Sequence, residues 1–453
     1  MTGATGLIGG ALGQRLVRDG HQVRALVRKP EQTSLRFPGS LYAWDARDDA
    51  PAEAFENADA VIHLAGENIA GRRWTPARKQ ALHDSRVRGV ESLQRGIALS
   101  KRNIKLFISA SGVGYYGDRG EELLTEASPA GSDFLASLCQ DWEAEALKVK
   151  ADRIVLARFG VALSPHGGFL RQLTPMFQRF GASRIGSGRS WLSWIHIDDL
   201  VEALMWALKD DSLSGPINVV APVPATNREV TATLRSTLAT FSAPPVPELA
   251  LRLLFGEMAN MLLGSQRALP TQLESRGFNW RYRDFSSAVG AVLDGIKVGE
   301  SQLVFEQWVA ASPSQVWRFF SSERNLEQIT PPFLSFQVLG KSTDEIGDGT
   351  TIDYRLKVHG LPVSWRTRIS EWAESQRFVD QQIHGPYRTW NHTHEFEAFA
   401  GGTLVRDSIV LKPPMGWMGR AISLGLILRD VEAIFKFRSE TINVIFSQKV
   451  SPA

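Results

Sequence analysis

The sequence predicts an α/β domain with a doubly wound parallel sheet, followed by an α+β domain in which an antiparallel sheet packs against one long helix. Three observations predict this arrangement. Glycines recur at positions 3, 6 and 9 in front of a helical pattern, and strand-like and helical segments then alternate to about residue 296. From residue 303, strands follow one another up to a long amphipathic segment at 417–445. At 453 residues the chain is too long for one hydrophobic core.

The glycine-rich segment at the start is the feature around which the first domain is organised. Gly3, Gly6 and Gly9 are spaced by two residues, and a helix is predicted over 7–19. Glycines at this spacing let the backbone turn tightly and approach a pyrophosphate, while the free N–H groups of the helix start face the phosphates. The segment 21–28 then predicts a strand. A helix followed by such a strand is typical of the dinucleotide-binding unit of a Rossmann fold.

Two basic residues, Arg28 and Lys29, end this strand where an NAD enzyme places an acidic residue on the ribose hydroxyls. A positive charge at that position suits the 2′-phosphate of NADP(H), so the sequence favours NADP(H) over NAD(H). The alternative is that both residues are solvated loop charges.

The fold also requires a strand in front of its first glycine, and only Met1 and Thr2 precede Gly3. We therefore expect a short apolar strand upstream of the given start.

Further strands are predicted at 41–44, at 58–64 and at 107–111, each ending in small or polar residues. The segments GATGLIG, HLAG, the serine-ended strand followed by YG, and WIHIDDL together resemble the extended short-chain dehydrogenase/reductase superfamily. Carried across by position, the resemblance implies a cofactor site made of Gly3, Thr5, Gly6, Leu7, Ile8, Gly9, Arg28, Asp45, Leu64, Ala65, Gly66, Ser109 and Arg158. It also implies a catalytic hydroxyl at Ser111 and substrate contacts at Arg189 and Trp194.

A departure from the superfamily pattern concerns its proton-transfer pair. Members carry a Tyr and, four residues later, a Lys on one helical face, where the ammonium lowers the pKa of the phenol. Here Phe134 falls at the tyrosine position and Leu138 at the lysine position. Tyr115 or Tyr116, on the loop after the serine strand, could replace the missing phenol as a catalytic residue. The alternative, which we prefer, is that both tyrosines line the substrate pocket without proton transfer.

The variant pattern SASGVGYYG, DFLASLCQDWEAEA and GSGRSWLSWIHIDDL is similar to a narrower group, the atypical epimerase family proteins. Their nucleotide domain ends in an extension that MLLGSQRALPTQLESRGFNWRY matches. This resemblance spans residues 1–296 and predicts an NAD(P)-binding domain over 1–240 and its C-terminal extension over 241–296. Because the substrates of the family are largely undefined, the resemblance does not identify the reaction.

Three other candidates for chemistry have structural interpretations. His196 and Asp198 precede a helix predicted over 198–209, for which Asp198 or Asp199 is the expected N-cap. Cys139 is expected to be a buried small hydrophobe. Four arginines could grip a phosphorylated or carboxylated substrate, although at least two are expected to be surface residues: Arg158, Arg171, Arg184 and Arg189.

The second domain begins with a strand predicted over 301–309, after which Ser312 caps a helix predicted over 315–321 with Pro313 in its first turn. Six further strands and the helix at 417–445 complete a helix-grip layout. The segments SPSQVWRFFSSERNLEQITPPFLSF and GPYRTWNHTHEFEAFAGGTLVRDSIVLKPP resemble the START-like (SRPBCC) superfamily, over residues 301–450.

START-like domains enclose a mostly apolar cavity, so the resemblance implies a hydrophobic ligand in the second domain. His392 and His394 point to one face of a predicted strand. A metal pair is the alternative, but without a third ligand in view a hydrogen-bonding or cavity-lining role is preferred, and no metal site is predicted.

Composition narrows the class of protein. The net charge of +3 with no basic block argues against a nucleic-acid partner, and the longest apolar run, 421–428, is too short to insert stably in a membrane. The single cysteine fits a reducing cytoplasm.

The favoured function is an NADP(H)-dependent oxidoreductase or epimerase-like enzyme for a small apolar or amphipathic substrate. The alternative is a non-catalytic NADP(H)-binding redox sensor or scaffold whose second domain binds a lipid or a partner. A third hypothesis is a membrane-surface role for the apolar face of 417–428.

Overall fold

The computed structural model describes residues 1–414 and 416–447, without the side chains of 417, 418, 420–422 and 447. The chain forms two compact units. The N-terminal unit comprises 1–31, 39–170 and 181–294, and the C-terminal unit comprises 32–38, 171–180 and the chain from Gly295 onward.

Helices and strands alternate up to residue 292. The helices are α1 Leu7–Arg18, α2 Pro76–Ser100, α3 Phe134–Ala146, α4 Phe169–Phe180, α5 Ile197–Lys209, α6 Asn227–Thr237, α7 Glu248–Phe255, α8 Asn260–Leu263, α9 Thr271–Ser275 and α10 Phe285–Val292. The strands are β1 Arg24–Val27, β2 Ser40–Ala43, β3 Ala60–His63, β4 Ile104–Gly112, β5 Leu123–Leu124, β6 Ala151–Phe159, β7 Val161–Ser164, β8 Gly167–Gly168, β9 Trp191–Leu192, β10 Trp194–His196, β11 Gly215–Val219, β12 Ala225–Thr226 and β13 Arg267–Ala268.

A parallel sheet organises the N-terminal unit. Strands β11, β6, β4 and β3 pair in that order, and β1 pairs with β2. Thr2 links the two groups, because it forms parallel bridges to His63 of β3 and to Leu26 of β1. Thr2 thus holds the central position of the sheet, and the strand order reverses on either side of it. The predicted doubly wound parallel sheet is confirmed.

The central strands β3, β4 and β6 carry runs of buried apolar residues, as expected for a parallel sheet covered on both faces. Phe107 and Ile108 of β4 are fully buried, and Phe107 shares a cluster with Val61, Leu93 and Leu156. Burying each of these side chains contributes about 1.5–3 kcal/mol.

The C-terminal unit is built on an antiparallel sheet. Its strands are β14 Ser301–Val309, β15 Gln337–Lys341, β16 Thr351–Val358, β17 Leu361–Ala373, β18 Arg377–His384, β19 Thr389–Phe399 and β20 Gly402–Lys412. They pair in the order β14, β20, β19, β18, β17, β16, β15. The helices are α11 Pro313–Phe320, α12 Glu323–Leu326 and α13 Gly416–Ser447. This confirms the predicted α+β helix-grip layout.

A local capping signal explains where α11 begins, and a ring contact shows how α13 packs on the sheet. Ser312 caps α11 in a reciprocal capping box with Gln315, and Pro313 occupies the first turn, as predicted. The ring of Phe435 on α13 stacks on Phe305 of β14 with 4.3 Å between the centroids. Apolar residues of α13 therefore complete the core that the sheet alone leaves open.

The predicted cap of α5 is wrong. His196 is the N-cap, and its Nδ1 accepts a hydrogen bond from the Asp198 N–H at 3.2 Å. Asp199 is buried and accepts the backbone N–H groups of Arg281 and Tyr282 at 2.7 and 2.9 Å. The aspartate that looked like a cap instead anchors the segment before α10.

Within 1–414 and 416–447, no helix combines the length and the apolar character that crossing a membrane requires. The membrane-surface hypothesis concerns 417–428, where several side chains lie outside the described residues, so it stays a prediction.

Candidate functional site

The glycine turn is tight in the structure. Gly3 has a φ of +67° and accepts a hydrogen bond from the Gly6 N–H at 3.0 Å. A Cβ at Gly9 would lie 2.1 Å from the Gly3 carbonyl oxygen, so only glycine fits there. Helix α1 begins at Leu7 without a side-chain cap or an acidic residue in its first turn. Its first N–H groups have no intrahelical acceptor, which suits a pyrophosphate.

Thr2 holds the segment after β3, which lies beside the glycine turn. Its Oγ1 accepts the backbone N–H groups of Leu64 and Ala65, both at 3.1 Å, and lies 2.8 Å from Nδ1 of His63. Burial lowers the pKa of His63 to about 3, so its ring is neutral. A Cβ at Gly3 would lie 2.8 Å from the Leu64 carbonyl carbon. The structure therefore brings the glycine turn and the segment after β3 into contact.

Arg86 is a neighbour of this site that the sequence analysis missed. It projects from α2, and a Cβ at Gly66 would lie 3.2 Å from its guanidinium. The guanidinium donates to the carbonyls of Leu82 and Glu67, both at 3.1 Å. The sequence does not separate Arg86 from the other arginines of α2, so its burial and its partners are known only from the structure.

The residues predicted at the adenosine lie at one edge of the sheet. Arg28 directly follows β1, and Asp45 lies two residues beyond β2. Since these strands are parallel neighbours, both residues are at the carboxyl edge, and both are exposed. Asp45 accepts the Arg47 N–H at 2.9 Å in a local turn. Their contacts with a cofactor stay predictions, as do those of the exposed Thr5 and the half-buried Leu7 and Ile8.

A buried charged network surrounds the predicted catalytic serine. The Ser111 hydroxyl donates to Oε1 of Glu143 at 2.6 Å. Arg158 donates to both carboxylate oxygens of Glu143, at 2.9 and 2.7 Å. Burial opposes its charge, but the hydrogen bonds and charge of Glu143 raise the pKa of Arg158. The predicted cofactor contact of Arg158 stays a prediction, and its contacts in the structure belong to this network.

The two tyrosines after the serine strand differ. Tyr116 is fully buried and its hydroxyl donates to Oδ1 of Asn218 at 2.7 Å and accepts from Arg158 at 3.0 Å. Burial raises the pKa of Tyr116 to about 12. Tyr115 is half-buried, and the Arg158 guanidinium lies 3.4 Å from its ring centroid. Of the two tyrosines, only Tyr115 therefore keeps solvent-exposed surface.

Helix α3 turns the residues that follow Phe134 and Leu138, rather than these two themselves, toward the region of Ser111. Cys139 lies against Ser111, one turn before Glu143, and Leu135 packs beside Gly114. Phe134 instead packs on the Trp74 ring at 5.1 Å, and Leu138 is buried in the cluster around Trp74. The positions nearest the serine are thus one residue later than Phe134 and Leu138.

Neither of the residues at these positions replaces the Tyr and Lys. Leu135 has no transferable proton. Cys139 is buried as predicted, and burial, followed by the charge of Glu143, raises the pKa of its thiol to about 11.

The remaining predicted residues lie apart from this network. Ser109 is buried and its hydroxyl donates to the Ala110 carbonyl at 3.2 Å. Trp194 is fully buried, with its indole N–H donating to the Val223 carbonyl at 2.9 Å. Arg184 and Arg189 are exposed. The burial of Trp194 gives it the geometry of a core residue, and its substrate contact, like that of Arg189, stays a prediction.

A second polar cluster lies in the C-terminal unit. His392 Nε2 and His394 Nδ1 lie 3.0 and 2.7 Å from the same oxygen of Asp407, and all three side chains are buried. Asp407 supplies the third group that sequence analysis did not find, and the three ligand atoms fit within 4.8 Å. Arg438 lies 3.7 Å from the same carboxylate, so a positive charge already balances it. This arrangement favours the predicted hydrogen-bonding role of the histidines.

Three family models match the chain. Residues 1–220 match the NAD dependent epimerase/dehydratase family, 246–292 match a domain of unknown function (DUF1731), and 309–434 match polyketide cyclase / dehydrase and lipid transport. The predicted fusion of two families is confirmed.

Several whole proteins are similar to the first two thirds of the chain. An epimerase family protein of Mycobacterium bovis is 39% identical over 294 residues, which are 64% of this chain and 95% of that protein. A chloroplastic epimerase family protein, an SDR39U1 homolog of Arabidopsis thaliana, is 38% identical over 298 residues, 65% of this chain and 86% of that protein. The human epimerase family protein SDR39U1, crystallised with NADPH, is 32% identical with a TM-score of 0.59, covering 65% of this chain and 98% of its own.

Proposed function

The chain belongs to the epimerase family, and on that premise we propose that its N-terminal domain binds NADP(H) and acts as an oxidoreductase or epimerase-like enzyme on a small apolar or amphipathic substrate. The observation that carries the proposal is the glycine turn, where the 2.1 Å approach of a Gly9 Cβ to the Gly3 oxygen leaves room for glycine alone. The domain boundaries proposed with it are 1–240, 241–296 and 301–450. The cytoplasmic location predicted from the single cysteine is part of the same proposal.

The cofactor assignment rests on residues at the edge of the sheet. The N–H groups at the start of α1 suit the pyrophosphate, and the exposed Arg28 suits the 2′-phosphate of NADP(H). NADPH in the crystal structure of the human relative supports this choice. When bound, NADPH supplies a hydride. The residues of this chain would hold the cofactor and position a substrate beside Ser111.

An experiment on Arg28 tests the cofactor proposal. NADPH fluorescence titrations are expected to give a Kd at least tenfold higher for Arg28→Ala than for the wild type, because one charge-assisted pair is lost. The NADH Kd should not change. Arg429→Ala removes an exposed arginine of the C-terminal unit and serves as the matched control. An unchanged NADPH affinity in Arg28→Ala contradicts the assignment.

The catalytic proposal places Ser111 and Tyr115 at the substrate. Tyr115 keeps accessible surface, whereas the Tyr116 hydroxyl is bound to Asn218 and Arg158. The test is NADPH oxidation with a panel of small ketones and aldehydes, followed by absorbance. If Tyr115 transfers the proton, Tyr115→Phe lowers kcat at least tenfold without changing the melting temperature; if Tyr115 only lines the pocket, the variant raises KM and keeps kcat. Tyr116→Phe should lower the melting temperature instead.

A second candidate is the non-catalytic NADP(H)-binding sensor or scaffold. The side of α3 that faces Ser111 favours it, because Leu135 and Cys139 stand there in place of a proton-transferring pair. Intact NADPH binding with no turnover across the panel supports this candidate.

For the C-terminal domain we propose binding of a hydrophobic ligand. The match to the polyketide cyclase and lipid transport model supports it, as does an apolar cavity between the sheet and its helices.

A further inference from the structure

The cavity of the C-terminal domain is lined mostly by apolar side chains, and its polar lining residues include Asp380, His394 and Arg438. Aromatic and branched side chains form the sides, among them Phe320, Ile369, Trp372 and Phe378. The mouth is formed by partly exposed residues of the segment 321–325. The cavity has a volume of about 40 Å³, which is room for roughly three waters. This space suits the polar head of a small ligand whose body extends toward the mouth.

One of the polar groups that line the cavity is a hydrogen-bond donor without a partner among the described residues. Arg438 projects from α13 into the cavity and is 6% exposed. Among the described residues, no acceptor reaches its buried Nε. Its Nη2 lies 3.7 Å from Asp407 and 3.5 Å from Nδ1 of His394. Leaving such a donor unpaired costs about 1–3 kcal/mol, so an acceptor in the cavity would stabilise the domain.

The charges around Arg438 restrict the acceptor. Burial opposes ionisation of Asp407, but the Arg438 charge and the hydrogen bonds of His392 and His394 hold its pKa well below the usual range. Asp407 and Arg438 thus form a neutral pair. Burial lowers the pKa of His394 to about 3, so this ring is neutral.

Asp380 is the second candidate donor of the cavity. Burial raises its pKa to about 7, with Arg438 opposing the shift, so a fraction of the carboxyl is protonated at neutral pH. The Thr367 hydroxyl donates to it from β17, and His392 of β19 is its cross-strand neighbour. Glu323 at the mouth is paired with Lys341 at 3.2 Å, and the Tyr354 phenol stays protonated because burial raises its pKa well above the usual value. Of Asp380, Glu323, Tyr354 and His394, only Asp380 therefore changes charge near neutral pH.

We propose that this cavity binds a small apolar molecule through a carbonyl oxygen, which accepts hydrogen bonds from the side chains of Arg438 and Asp380. Because Asp407 and Arg438 balance each other, this pair offers no net charge to hold an ionic ligand, and burying an ion without a counter-charge is costly. A hydrocarbon leaves the Arg438 donor unpaired. The inference rests on the hydrophobic-ligand function proposed above and adds the chemical class of the ligand.

Two matched probes test the inference in the full chain. Acetophenone and ethylbenzene share ring and chain length and differ in the carbonyl group, and ligand-observed NMR titrations give a Kd for each. At pH 6 we expect acetophenone to bind at least tenfold more tightly than ethylbenzene and more tightly than benzoate. The double variant Arg438→Met/Asp407→Asn removes both charges of the pair together, and its melting temperature reports whether it folds. In this variant the preference for acetophenone should fall severalfold, and the part that Asp380 contributes should remain.

Raising the pH from 6 to 8 should weaken acetophenone binding severalfold in the wild type and leave it unchanged in Asp380→Asn, whose amide donates at both pH values. Equal affinities of the two probes in the wild type, or tighter binding of benzoate, overturn the carbonyl inference and leave the hydrophobic-ligand function standing. Binding of no probe overturns both. If the double variant does not fold, an unaltered pH dependence in Asp380→Asn overturns the inference.

Discussion

Ser111 donates its hydroxyl hydrogen bond to Glu143 at 2.6 Å, and Glu143 is held on both carboxylate oxygens by Arg158. The predicted catalytic serine is thus positioned by a buried ion pair between α3 and β6. In the superfamily the corresponding helix offers a phenol and an ammonium. This difference separates the glycine turn, where the glycine spacing follows the superfamily pattern, from the predicted proton-transfer positions of α3, where the pattern is altered.

Glu143→Gln should destabilise the N-terminal unit strongly. The amide cannot balance Arg158, and breaking a buried pair on one side costs about 3–5 kcal/mol in free energy of unfolding. Urea denaturation measures the loss. Glu122→Gln, which breaks an exposed pair with Arg119, should cost less than about 1 kcal/mol. Equal losses in the two variants contradict the structural role of the buried pair.

Thr2→Val should loosen the segment after β3. The methyl group cannot accept the N–H groups of Leu64 and Ala65, and each unsatisfied group costs about 1–3 kcal/mol. We expect a lower melting temperature and weaker NADPH binding, measured by thermal denaturation and fluorescence titration. Thr2→Ser keeps the hydroxyl and should retain most of both. If Val and Ser variants behave alike, the hydroxyl does not fix this segment.

Gly9→Ala should abolish NADPH binding, because its Cβ would clash with the Gly3 carbonyl oxygen at 2.1 Å. Gly290→Ala is the matched control in α10, where no heavy atom lies within 4 Å of the new Cβ. This control should leave NADPH binding unchanged and stabilise the helix by about 0.5–1 kcal/mol. NADPH binding by Gly9→Ala at wild-type affinity contradicts the tight turn.

Asp380→Asn should change how stability depends on pH. The wild-type carboxyl has its pKa raised from 3.8 to about 7 by burial. Between these values the folded state binds more protons than the unfolded state, so the free energy of unfolding falls as the pH rises. The amide has no proton to lose, so the variant should gain stability relative to the wild type between pH 5 and pH 8. Urea denaturation at both pH values measures the free energy of unfolding of the two proteins. If it changes with pH by the same amount in both, the prediction is contradicted.

Much of the fold could be predicted because the signals are local. The helix predicted over 7–19 is α1 Leu7–Arg18, and the strand predicted over 301–309 is β14. The N-cap at Ser312 was predicted from the neighbouring residues alone, because Pro313 directly after it is typical of a first helical turn. The cap of α5 was missed because the aspartate at 199 is occupied by backbone groups more than eighty residues away in sequence.

The candidate site was predicted only in part, because some of its features are local in sequence and others depend on contacts between distant elements. Spacing alone indicates the glycine turn. The partners of Ser111 depend on which side of α3 faces the sheet, and a shift of one residue moves a helical side chain by about 100°. Arg158 within an apolar strand was a usable signal, because a buried charge needs a partner such as Glu143. Nothing local linked Arg438 with Asp407, which lie on different elements.

The central claim is that the N-terminal domain binds NADP(H) at the glycine turn, and a calorimetric titration of the wild-type chain with NADPH, run beside NADH, tests it most directly. The account predicts saturable binding at one site per chain, with a Kd for NADPH at least tenfold below that for NADH. No saturable heat with NADPH, or equal affinity for NADH, would contradict it.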